Sequence, residues 1–148
     1  MKILIVILII TAFLQSTIIP LNLVLIILIC RAYVTTEKAN LYLAFSFGLL
    51  TSHLDLNALG FQSIIYLIII QMTQILSKSR LATNYLTIVP VSLMLLTLNM
   101  VVVSFFTHQS ISQWSQVIVE SFFALPIYYS IRLWEEKFVV RSQIKLKV

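Results

Sequence analysis

The chain reads as six apolar stretches separated by short polar breaks, at about residues 3–19, 21–35, 41–54, 59–76, 85–106 and 114–134. A helix crossing the hydrocarbon of a bilayer needs roughly 17–25 apolar residues at ~1.5 Å rise each, so the pattern predicts six membrane-spanning helices, the second and third of them short. The short pair could be tilted, suited to a thin membrane, or partly re-entrant. Pro20 cannot continue a helix interior and marks the end of the first stretch. The run TTEKAN (residues 35–40) separates the second from the third, and SKSR (residues 77–80) closes the fourth.

Composition supports this class. Sixty per cent of residues are hydrophobic and ten per cent charged, whereas about a quarter are charged in ordinary soluble domains. Too little polar surface exists to cover a soluble core of this size. No repeat, low-complexity tract or linker divides the chain, so residues 1–148 are expected to form a single transmembrane domain of all-α class, a polytopic helix bundle. The opening MKILIVILIITAFLQS resembles a signal peptide, but no convincing small-residue cleavage site follows, and it reads as a retained helix.

The distribution of charge orients the bundle. With six spans, Lys2, Arg31, Lys38, Lys78, Arg80, Arg132, Lys137, Arg141, Lys145 and Lys147 all fall on one side, and the connections around Pro20, Asp55 and His108 carry no Lys or Arg. Basic residues flanking spans concentrate on the cytoplasmic side, which puts both termini there. The net charge of +5 is thereby accounted for without a nucleic-acid partner. The basic tail KFVVRSQIKLKV reads equally as a topology signal or as a contact with anionic membrane lipids.

Candidate chemistry is sparse. The only cysteine, Cys30, excludes an internal disulfide and reads as a packing residue. A Gly-x-Ser-x-Gly nucleophile elbow is absent, and Asp55 as sole aspartate removes an aspartyl dyad unless a glutamate substitutes. The chain is therefore expected not to be an enzyme and to need no cofactor. His53, Asp55 and His108 lie on the same outer face and have ligand types that suit zinc, but their spacing matches no recognised site and solvated loop residues are the simpler reading. Glu120 lies about six residues into the last stretch, where an ionisable group is costly. It reads either as a proton-linked site or polar contact between helices, or as a head-group residue of a span that begins later. Pro126 is expected to kink the last helix. Tyr128, Tyr129 and Trp134 are placed as an aromatic belt. Gln15, Gln71, Gln74 and Asn99 are candidates for hydrogen bonds between helices.

Both glycines, Gly48 and Gly60, lie in one stretch, FGLLTSHLDLNALGF (residues 47–61), with His53 and Asp55. This predicts a tight outer hairpin, in which Gly48 lets two helices approach and Gly60 opens the fourth span. The layout resembles the MreD family of bacterial rod-shape-determining membrane proteins. The resemblance rests on LQSTIIPLNLVLIILICRAY with its early Gln15 and Pro20, on the Gly-Leu-Leu start at Gly48 with a second glycine at Gly60, and on ESFFALPIYYSIRLWEE with Pro126 and Tyr128. The family's aspartate would fall at Ser52, so either Asp55 is a shifted equivalent or the position is lost in this chain.

The resemblance implies a non-enzymatic, multi-pass component of the bacterial inner membrane. It would work with an MreC-like protein and with a RodA-type glycosyltransferase and its transpeptidase, and connect indirectly to MreB filaments. It also implies similarity in fold to the substrate-binding components of energy-coupling-factor transporters, which have six helices. A vitamin or small-molecule binder is therefore the alternative function.

Overall fold

The computed structural model describes residues 2–18, 21–55, 60–78, 85–107 and 114–139. Pro20, Asn57, Arg80, His108 and the tail residues Arg141, Lys145 and Lys147 lie outside the described residues. Those described form six α-helices and no strand: α1 (Lys2–Thr17), α2 (Leu23–Val34), α3 (Ala39–Leu54), α4 (Phe61–Ser77), α5 (Ile88–Thr107) and α6 (Trp114–Trp134). A 3-10 turn, Tyr85–Thr87, precedes α5 and a π-helical turn, Glu135–Val139, follows α6. Two helical segments, 88–106 and 114–137, are long and apolar enough by themselves to span a membrane; α1, α2 and α4 are apolar but shorter.

Each outer helix buries one stripe. In α1 the stripe is Leu4, Leu8 and Ala12, spaced four apart, while Ile3, Val6, Ile10 and Phe13 point outward. In α6 it is Val117, Ser121, Ala124, Tyr128 and Ile131, alternating steps of four and three, the spacing at which successive turns present one face to a neighbour. In α5, Pro90 occupies the first turn, where its missing N–H has no partner to lose.

By contrast, α2 is enclosed on nearly every side. Every residue from Val24 to Tyr33 is buried, and the helix packs against each of the other five. Around it the remaining contacts run α1 to α3, α3 to α4, α4 to α5 and α5 to α6. Among the described residues no comparable packing joins α6 back to α1, so the ring of five is open at one seam.

Successive helices alternate in direction. Arg31, Glu37 and Glu135 meet at one end, while Asn22 and Glu120 meet at the other. The first is called here the basic end, because Lys38, Lys78, Arg132 and Lys137 also belong to it, and the second the distal end.

Within the largely apolar core lie many polar side chains, and large apolar ones cover the outside. Arg31, Asn40, Thr51, Ser52, Ser63, Thr73, Ser92, Asn99, Glu120 and Ser121 are buried, while Phe45, Ile64, Ile68, Phe105, Phe122 and Phe123 are exposed. Water would favour the opposite arrangement.

Candidate functional site

The enclosed α2 is only 12 residues long, about 18 Å at ~1.5 Å per residue, against ~30 Å of hydrocarbon. Both of its ends therefore need protein partners for their open backbone groups if the bundle spans a bilayer. The polar side chains of the bundle gather at those two ends.

At the distal end, Glu120 is 1 % exposed. Its Oε1 accepts from the Asn22 backbone N–H at 2.8 Å, the Asn22 Nδ2 at 3.4 Å and the Gln116 Nε2 at 3.1 Å. The Val24 N–H donates to Gln15 Oε1 at 3.3 Å. A carboxylate at a helix N-terminus also meets the positive end of the helix dipole. Of the sequence readings of Glu120, the polar contact between helices has a partner, the N-terminus of α2 of the same chain.

Gly48 and Gly60 act in different ways. A Cβ on Gly48 would lie 2.5 Å from Ser63 Cα and 2.9 Å from Ser63 N, so α3 and α4 touch backbone to backbone there. Gly60 has φ of 90° with nothing within 4 Å of an added Cβ; its backbone conformation, which disfavours side-chain-bearing residues, is what calls for glycine. Next to this crossing, the Thr51 and Ser52 hydroxyls donate back to the Phe47 and Gly48 carbonyls. Fully buried Tyr66 directs its hydroxyl toward Thr51, Gln62 and Gln15 without reaching hydrogen-bond geometry to any of them. Ser63 Oγ and Asn99 Oδ1 are likewise buried without a partner among the described residues.

Asp55 caps α3 and is exposed, although partial enclosure pushes its carboxyl above the usual carboxylate range. His53 is exposed on the last turn of α3. Among the described residues no group of three His, Cys, Asp or Glu side chains is close enough to hold a metal ion.

At the basic end, the guanidinium of Arg31, 3 % exposed, lies between Glu37 Oε2 at 3.6 Å and Glu135 Oε1 at 3.7 Å. Ser77 Oγ donates to the Tyr33 carbonyl at 2.7 Å, closing α4 on the end of α2. Gln74 Nε2 donates to the Glu37 carbonyl at 3.0 Å. Arg31 reads in the sequence as an ordinary flanking cation. The signal that marks it as enclosed is that three of the five acidic residues, Glu37, Glu135 and Glu136, fall on the otherwise basic side.

Four further sequence expectations find a place here. Cys30 is buried against α6, its thiol 3.5 Å from the Ala124 carbonyl. Tyr128 turns inward and meets the Tyr33 ring edge-on at 5.8 Å, while Tyr129 points out. Adjacent residues on a helix are ~100° apart, so the two rings face different surroundings, and a ring packed inside the bundle does not belong to a lipid-facing belt. Pro126 leaves α6 helical from Trp114 to Trp134, although residue 126 has no N–H to offer the Phe122 carbonyl. Of the amide side chains, Gln15 and Gln74 bond across elements and Gln71 faces outward.

No protein-family model, curated protein or solved structure matches this chain.

Proposed function

We propose that the chain is a six-span protein of the bacterial plasma membrane that serves as a non-enzymatic scaffold in cell elongation, in the manner of MreD. The large apolar side chains on the outside of the bundle and the alternating helices, with their cations at one end, support the membrane placement. The observation that carries the scaffold reading is the use made of the stretch that resembles MreD most. Gly48 forms a backbone-to-backbone crossing with Ser63, and Gly60 takes a left-handed turn. Those residues serve packing, as a rigid docking body requires.

The partners would be an MreC-like protein and a RodA-type glycosyltransferase with its transpeptidase, with MreB filaments reached indirectly. Affinity purification from cross-linked membranes tests this. Recovery of an MreC-like single-span protein supports the reading, and its absence beside recovered lipoproteins or transporters sinks it.

A second reading, the substrate-binding component of a vitamin or small-molecule transporter, draws on the buried and unpartnered Tyr66, Ser63 and Asn99 groups. Mass spectrometry of the purified protein decides it: a retained small molecule at near-stoichiometric amount would favour this reading over the scaffold.

A further inference from the structure

The open seam of the ring is a groove. Between α1 and α6 lies an apolar cleft of about 320 Å³, near the lower size of sites that hold small molecules. Leu4 and Ile7 form one wall, Pro126, Ile131 and Trp134 the other, and Ile27 of the central α2 the floor. Ile27 is 7 % exposed, the most of any α2 residue from Val24 to Tyr33.

The dimensions select the occupant. Along α6 the cleft extends from Pro126 to Trp134, about 12 Å at ~1.5 Å per residue, which is less than half of the ~30 Å hydrocarbon. A partner's spanning helix would need a cleft running the full depth. A single acyl chain of one leaflet needs only this half. The cleft lies in the half next to the basic end, where Trp134 lines its end and Lys137 follows one turn later, while the neighbouring Glu136 is held by Arg132 at 2.8 Å and Glu135 faces Arg31 at 3.7 Å. Cations at that level attract anionic head groups, and an interfacial indole suits the head-group boundary.

We propose that this groove binds one acyl chain of an anionic glycerophospholipid of the cytoplasmic leaflet, with its phosphate beside Lys137. The lipid completes the wall around α2 that the protein leaves open. This rests on the six-span reading and not on the elongation role.

The test uses the full chain in vesicles of phosphatidylethanolamine doped with photoactivatable phosphatidylglycerol. Illumination should label peptides that contain Ile7 and Ile131. Ile7 is half exposed, so Ile7→Trp fills the groove without disturbing the core, and it should cut that labelling at least about tenfold. Ile68→Trp, on the exposed face of α4, should leave it unchanged. Labelling spread evenly over all exposed faces overturns the proposal, as does equal labelling of Ile7→Trp and the parent chain. A cross-link from position 134 to another protein's helix in native membranes also overturns it, because a partner then fills the seam. Release of the chain from membranes by alkaline carbonate would sink the membrane placement itself, whereas a membrane-held chain without site-specific labelling sinks only the groove.

Discussion

Asn22 and Glu120 are 98 positions apart, yet the backbone N–H of the first donates to the carboxylate of the second at 2.8 Å, and that bond closes the N-terminus of the enclosed helix. Glu120→Gln keeps an acceptor oxygen and should cost about 1 kcal/mol, the difference between a charge-assisted and a neutral hydrogen bond. Glu120→Leu leaves the amide buried and unbonded and should cost about 1–3 kcal/mol. Thermal unfolding in detergent measures both. If the two variants unfold alike, the carboxylate does not cap α2.

The two glycines should respond to different replacements. Gly48→Ala drives a methyl group into the Ser63 backbone and should cost at least about 1–3 kcal/mol, since main chain cannot yield as a flexible side chain would. Gly60→Ala meets open space and should cost about 1–2 kcal/mol through its positive φ alone. Gly60→Asn should cost less than Gly60→Ala, because asparagine tolerates that conformation. Asp55→Asn, at an exposed cap, should alter stability least. Urea or thermal midpoints that place Gly48→Ala below Asp55→Asn in cost would refute the close crossing.

Burial makes the Arg31 cluster asymmetric. Glu37 is mostly exposed, and Glu37→Gln should cost no more than about 1 kcal/mol. Glu135→Gln strips the more enclosed partner from a buried cation, and Arg31→Met leaves the acids facing each other; removing one member of such a pair costs up to about 3–5 kcal/mol. The double variant Arg31→Met/Glu135→Met should recover most of that loss. Additive losses in a double-mutant cycle would show that the 3.7 Å pair carries no coupling.

Sidedness can be read by thiol labelling, since the native Cys30 is buried and contributes little background. In intact spheroplasts, an impermeant maleimide should label His53→Cys. Lys78→Cys should react only after permeabilisation. The reverse order would invert the orientation, and labelling of both from outside would end the alternating topology.

All six helices were legible in the alternation of apolar runs and polar breaks, most within two residues at each end. The five-around-one arrangement was not. An all-apolar helix such as α2 satisfies lipid and protein interior equally, so hydropathy cannot tell a central helix from a peripheral one. Gly48 was readable as a close approach because small residues have few other uses inside a span. Which backbone it meets, that of Ser63, depends on the register of α3 on α4, and no local pattern encodes that register. Glu120 stood out by its cost, but its partner Asn22 lies too far along the chain for any spacing rule. The enclosure of Arg31 is masked in the sequence because a cation at the end of an apolar stretch ordinarily marks a membrane boundary.

The enclosure of α2 also bears on biogenesis. This helix leaves the ribosome before Glu120, which closes its N-terminus, and before Glu135, which flanks Arg31. If the bundle spans a membrane, α2 waits with open amides, and without Glu135 beside the Arg31 guanidinium, until α6 arrives. Premature termination before residue 114 would strand the nascent chain in a form that membrane quality-control proteases can recognise.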